Sequence, residues 1–232
     1  MIDYQHIYQQ QASQYAQLVA REDYQQNLGP ALARLQPVDD PVVVELGAGT
    51  GRLTRLLLPS ASFVLAIDIA RPMLETARSM LATTSKAGWQ LAEADNCQLP
   101  VASSRVDISL AGWSLGHFTG WYGASWPAEI GQAVAEMKRV LRPGGVAIIL
   151  ETLGTGRTTP QPPTPALASY YAYLQDVQGF QHTWLRTDYR FASLSEAVEL
   201  TGFFFGAELA ERVAAENLLI LPECTGFWWW AG

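Results

Sequence analysis

Val42 to Leu53 reads VVVELGAGTGRL, and no other stretch of the chain restricts its fold so sharply. β-Branched residues run up to Glu45, and three glycines follow at alternate positions, Gly47, Gly49 and Gly51. Leu53 and Leu56 to Leu58 then open an apolar pattern suited to a helix. A buried strand that enters a glycine-rich turn and leaves as a helix is how an α/β domain grips a nucleotide-like ligand. Glycines, lacking Cβ, let the backbone come close to that ligand.

The spacing discriminates between ligands. A dinucleotide turn wants G-x-G-x-x-G, which would put its third glycine at position 52, where the chain has Arg52. The pattern here is E-x-G-x-G-x-G, and a carboxylate at Glu45 repels a pyrophosphate but suits an ammonium or a sulfonium. This resembles motif I of the class I methyltransferases that use S-adenosylmethionine (SAM). The plain alternative is a tight strand–helix turn, which needs one or two glycines but not three plus the acid. The resemblance implies that Glu45, Gly47, Ala48, Gly49, Thr50 and Gly51 hold the amino-acid end of SAM.

Further landmarks follow in order. Phe63 to Ile67 is a second apolar run ending in Asp68, about 20 residues past the glycines, where an acid can accept hydrogen bonds from ribose hydroxyls. Asp68 also suits a helix N-terminus ahead of Leu74, Ala77 and Leu81. By resemblance, Asp95, with Asn96 beside it, meets the adenine amino group, and Ile69 and Met73 wall the base. An Asx turn explains Asp95-Asn96 equally, and packing alone explains Met73. The fourth strand, Val106 to Trp113, turns its carboxyl end toward the ligand, with Ala111 and Trp113 beside it, although Trp113 also reads as core. The helix carrying Ile130, Val134, Met137 and Leu141 stops at Arg142-Pro143-Gly144-Gly145, which starts the fifth strand and is another landmark of the family. The resemblance implies an α/β, Rossmann-like fold. Its seven-stranded, mostly parallel sheet has the order 3-2-1-4-5-7-6, the last strand antiparallel, and helices on both faces.

Composition narrows the function. The chain has 232 residues, 49% apolar and 16% charged, enough for one domain with a substantial core. With 15 bases against 22 acids, it lacks the cationic field that a nucleic acid requires. Cys97 and Cys224 form no metal-spaced pair and no disulfide framework, and His6, His117 and His182 lie far apart, so no metal centre is expected. No signal-peptide pattern and no long apolar run is visible, so a cytoplasmic protein without a membrane contact, monomeric or homodimeric, is expected.

The chain reads as a single domain over 1–232. Residues 1–28 form a helical arm, with Tyr4, Tyr8, Ala12, Tyr15 and Val19 on one face. In related methyltransferases such an arm closes over the cofactor, which would bring Tyr8 and Tyr15 to its methionine end; amphipathic packing is the equal alternative. A helix is expected at Pro30 to Leu35 and an irregular segment from Gly154 to Pro165. Helices follow at Ala166 to Gln178, Ser193 to Leu200 and Glu208 to Glu216, with an extended piece at His182 to Phe191. Asn217 to Gly232 reads as an antiparallel hairpin about a Pro-Glu-Cys-Thr-Gly turn. Residues 152–191 are an insertion that forms part of the acceptor site. Tyr170, Tyr171, Tyr173, Trp184 and Tyr189 make it aromatic, and Arg157, Arg186 or Arg190 could pair with a substrate carboxylate. Core packing and solvated surface are the plain readings of these residues.

His117 is the best base candidate, near neutrality in its ordinary pKa and just past the fourth strand; a loop histidine bonded to backbone is the alternative. Glu151, at the fifth strand, is the second, or else only pins the next loop. The expected function is SAM-dependent methyl transfer to an oxygen or nitrogen of a small molecule. The alternatives are a SAM-consuming cyclase or lyase on the same fold, or a non-catalytic SAM-binding subunit.

Overall fold

The computed structural model describes residues 3–84 and 86–232. Met1, Ile2 and Ser85, the first two within the segment read as an arm, lie outside the described residues. Helices α1 (Tyr4–Gln10), α2 (Ala12–Val19) and α3 (Leu28–Ala33) precede β1 (Val42–Leu46), α4 (Arg52–Leu57), β2 (Phe63–Asp68), α5 (Arg71–Leu81), β3 (Trp89–Glu93) and β4 (Val106–Gly112). Then come α6 (Phe118–Trp121), α7 (Trp126–Val140), β5 (Leu141–Thr155), α8 (Pro165–Asp176), β6 (Gln181–Arg186) and β7 (Tyr189–Arg190). The chain ends with α9 (Leu194–Phe205), α10 (Ala207–Ala215), β8 (Ile220–Leu221) and β9 (Glu223–Ala231).

Seven strands form one sheet in the order β3-β2-β1-β4-β5-β9-β6. β1 pairs in parallel with β2 and β4, while β9 lies antiparallel between β5 and β6. With β9 counted as the seventh strand, this is the expected order. Alternation along each central strand builds two cores. Val44, Ile149 and Trp228 face α7 and α8, where Ile130, Val134, Met137 and Tyr170 pack, while Val43, Ile148 and Phe227 face Leu53, Leu57 and Leu81. α7 buries Ile130, Ala133, Val134, Met137 and Val140, a helical stripe that ends where the chain becomes β5.

Four local expectations need correction. The terminal hairpin does not form: Glu223 to Ala231 is one continuous strand, and Ile220–Leu221 pairs instead with β7. Pro222 ends the first pairing, and its carbonyl accepts Gly156 N–H at 2.7 Å. The small polar residues read as a turn are stable in a central strand because they are paired: the Thr225 and Thr187 hydroxyls lie 2.6 Å apart, and Cys224 is wholly buried. The Arg-Pro-Gly-Gly segment is a bulge within β5 rather than its start. Val106 pairs with Leu141 and Ile108 with Val146, and Arg142 folds back onto both Asp107 oxygens at 2.8 and 2.9 Å. β5 also continues through Thr155, so the irregular segment begins later than Gly154. The arm is two helices broken at Gln11 (φ −130°, ψ 29°), and the next helix is Leu28–Ala33 rather than Pro30 to Leu35.

Trp228 is 1% exposed, stacks on Tyr171 at 4.6 Å and fills the α8 side of the sheet. Trp228→Ala is expected to cost about 3–5 kcal/mol of unfolding free energy in guanidinium titrations. Val177→Ala, at a position 67% exposed, should change it by under about 0.5 kcal/mol.

Candidate functional site

The carboxyl ends of β1, β2 and β4 converge on the glycine turn. Gly47 has φ +62° and Gly49 φ +55°, left-handed values that glycine adopts without strain. A Cβ on Gly47 would lie 2.0 Å from Ser114 Oγ, so the turn and the end of β4 fit only with no side chain there. Ser114 Oγ in turn accepts from Asn96 Nδ2 at 3.0 Å, tying the segment after β3 to the same point. Ala48 N–H bonds to Ile67 O at 2.8 Å, and Thr50 is buried.

Asp68 fixes the turn from the side. Gly49 N–H donates to its Oδ2 and Ala70 N–H to its Oδ1, each at 2.8 Å. Burial raises its pKa, opposed by these amide bonds. Glu45 lies below, 2% exposed, accepting from Thr54 Oγ1 at 2.5 Å, and burial pushes its carboxyl up to about 8. Ile69 is 64% exposed, whereas Met73 is buried against Ala12, Ala70, Tyr8 and Tyr15. Asp95 is exposed and caps its own turn by accepting Cys97 N–H at 2.8 Å. Ala111 is buried within β4, and Trp113, at φ +49°, donates its N–H to Leu150 O at 2.7 Å.

Arg52, the residue that breaks the dinucleotide spacing, links several elements. Its guanidinium lies 4.0 Å over the Trp113 ring and pairs with Glu22, just past α2. Glu22 also accepts from Thr187 Oγ1 at 3.1 Å and Tyr189 OH at 2.9 Å. The glycine turn, the part of the arm just past α2 and residues 187–189 therefore share one buried polar cluster.

The arm lies across this face. Tyr15 is the nearest group to the side-chain direction of Gly49, at 3.9 Å. Tyr8 OH and His117 Nε2 are hydrogen-bonded at 2.8 Å. Among the described residues this is the one side-chain hydrogen bond that reaches from α1 to another element. Burial holds the His117 imidazole down at about 4, so it is neutral near pH 7. Tyr4 and Trp121 flank it, each at 5.1 Å between ring centroids.

Glu151 sits behind His117. Gly116 N–H donates to its Oε1 at 2.8 Å, Tyr170 OH approaches the same oxygen at 3.4 Å, and burial pushes the carboxyl up to about 8. Tyr171 donates to Thr152 O at 2.7 Å and packs in the core with Tyr170, while Trp184 is exposed on edge strand β6. Arg186 is engaged by Asp188 at 2.7 Å, and Arg190 lies over Tyr24 at 4.9 Å. The structure thus groups the glycine turn, Asp68, Tyr15, His117 and Glu151, and leaves Trp184, Arg186 and Arg190 to other contacts. Three participants carry no local sequence signal: Arg52 as a hub, Trp121, and Phe204, which lies 5.3 Å from Tyr15.

Residues 44–149 match a family model described as a methyltransferase domain. The biotin biosynthesis bifunctional protein BioHC of Cellvibrio japonicus is 35% identical over 119 residues, 51% of this chain and 21% of that protein. The malonyl-[acyl-carrier protein] O-methyltransferase of Pseudescherichia vulneris is 32% identical over 125 residues, 54% of this chain and 44% of that protein. The chain thus spans less than half the length of these curated relatives. A SAM-dependent methyltransferase from Aquifex aeolicus shares the fold at a TM-score of 0.55 and 14% identity, covering 88% of each chain. Residues 44–149 thus resemble a methyltransferase domain, and the sheet has the strand order that the resemblance to class I methyltransferases implies.

Proposed function

We propose that the chain transfers a methyl group from SAM to an oxygen or nitrogen of a small molecule held beneath the N-terminal arm. The observation that carries this reading is the glycine turn fastened to Asp68 at 2.8 Å, with the Tyr8–His117 pair on the same face. The donor set fits the cofactor. The cradle closes if Gly47 gains a Cβ, and Asp68 retains acceptor capacity beyond its two amide bonds, since each carboxylate oxygen has two lone pairs.

In this reading Gly47, Ala48, Gly49, Thr50 and Gly51 give backbone contact to the amino-acid end. Glu45 ionises when an ammonium stands beside it, which offsets its burial. Asp68 receives the ribose hydroxyls, Ile69 and Met73 border the adenine, Asp95 and Asn96 meet its polar edge, and Ala111, Trp113 and Tyr15 bound the remainder. Bound there, SAM supplies a methyl group on a positive sulfur. The protein's task is alignment, which accounts for about 7–11 kcal/mol of barrier lowering at best. His117 accepts the acceptor's proton through Nε2 once Tyr8 yields that position. Glu151 holds the Gly116 amide and so fixes the turn that carries His117. Residues 152–191 support the acceptor side from behind, through the Tyr170 hydroxyl at Glu151, with the whole chain acting as one domain.

Asp68→Ala should weaken S-adenosylhomocysteine (SAH) binding at least about tenfold by calorimetry, the loss of a hydrogen-bonded charge. Unchanged affinity would remove the ribose role. His117→Asn should lower kcat at least about 100-fold with SAH affinity nearly unaltered. Because the imidazole titrates at about 4, the wild-type rate should have its acid limb there rather than near 6.5. Glu151 gives a separate stability signature. Its carboxyl titrates at about 8 when folded against an ordinary 4.5, so the folded state binds more protons across that window, and stability falls as pH rises through it. Glu151→Gln should flatten that fall, read as the unfolding midpoint between about pH 5 and 8.

A further inference from the structure

Six aromatic side chains meet on the arm side of the site: Tyr4 and Tyr8 from α1, Tyr15 from α2, His117 and Trp121 after β4, and Phe204 from α9. Ring-centroid separations run 5.1 Å for Tyr4–His117, 5.4 Å for His117–Tyr8 and 5.5 Å for Tyr8–Tyr15. They continue at 5.3 Å for Tyr15–Phe204 and 5.2 Å for Phe204–Tyr4, which closes a circuit. Trp121 stacks on His117 at 5.1 Å and 14°.

Of the four ionisable side chains outside the wall that act on Tyr8 and Tyr15, three are carboxyl groups. Asp68 and Glu151 are the carboxyl groups that act on Tyr8, and both push its pKa up. Arg52 is the cation that acts on Tyr15, and Glu22 already neutralises it. Among the described residues, no Lys or Arg lies over any of the six rings; the cation–ring contacts are to Trp113, Phe180, Trp230 and Tyr24. Burial keeps Tyr4, Tyr8 and Tyr15 protonated and His117 neutral. A carboxylate or phosphate entering here would lose hydration with no cation to replace it. An ammonium would meet aromatic faces, each of which attracts it.

We propose that the methyl acceptor is a small amine, received as an ammonium among these aromatic faces, rather than a carboxylate or a phosphate ester. This rests on the methyl-transfer reading above and narrows it to nitrogen. The ammonium first gives an N–H proton to water, and the neutral amine then donates an N–H hydrogen bond to His117 Nε2, which burial keeps unprotonated. The freed lone pair then bonds the methyl carbon while the C–S electron pair returns to sulfur, leaving a methylammonium and a neutral thioether. Tyr8 OH must leave Nε2 for this to happen, and α1 holds no other side-chain hydrogen bond that opposes its movement among the described residues.

The test uses SAH-loaded protein. Tetramethylammonium chloride and, separately, sodium acetate are titrated at matched ionic strength while the His117 imidazole and Trp121 indole resonances are followed by NMR. Tetramethylammonium should shift both to saturation, and acetate should move neither. Tyr4→Leu and Trp121→Leu, both at positions that reach the surface, should each weaken tetramethylammonium binding at least about threefold. Saturable shifts with acetate, no response to tetramethylammonium, or equal affinity in both variants would overturn the proposal. SAH affinity, measured beforehand by calorimetry, reports separately on the methyl-donor reading, so the two can fail independently.

Discussion

The contact on which the site depends is the one between the Asp68 carboxylate and the Gly49 amide, 2.8 Å apart. Asp68 ends β2 and Gly49 lies just past β1, so this bond joins the carboxyl tips of two neighbouring parallel strands. A half-exposed carboxylate would gain little from two amides, because water competes for it. At 9% exposure the same bonds offset the cost of burying the charge, and the turn is held in its left-handed shape before any ligand arrives. The remaining parts of the cradle follow from that shape. Gly47 comes against Ser114, and Ser114 draws in Asn96.

A second layer of order comes from outside the strands. Arg52 begins α4 but reaches Glu22 beyond α2 and Trp113 beyond β4, while Glu22 collects Thr187 and Tyr189. Buried ion pairs add little net stability by themselves, yet removing one partner leaves a charge without compensation. The cluster thus fixes where α2 sits against the turn. Arg21 pairs with Glu196 and Leu18 is wholly buried, so α2 is anchored at its far end too. Among the described residues α1 has no ion pair of this kind: it buries Ile7, packs Tyr8 beside Met73 and bonds through the Tyr8 hydroxyl.

What could be read in the sequence was what short spacing encodes. The strand–turn–helix from Val42, the acid at Asp68 and the α7 stripe are contiguous patterns whose period follows from backbone geometry. The parallel order was legible through resemblance to a family rather than through pattern alone. The hairpin expectation failed because Pro-Glu-Cys-Thr-Gly has turn composition, while β5 and β6 on either side pair with its backbone and hold it extended. The Arg-Pro-Gly-Gly bulge was hidden for a related reason: Asp107, on the neighbouring strand, determines where Arg142 goes. The face beneath the arm was the least legible. Tyr8 and His117 are 109 positions apart, and Phe204 comes from an element further still, so no window along the chain contains their contact.

The break at Gln11 divides the arm into a fixed part that presents Tyr15 to Gly49 and a lightly held part that presents Tyr8 to His117. Under the proposed methyl transfer the two substrates are therefore roofed by different helices, and displacing α1 leaves α2 in place over the donor.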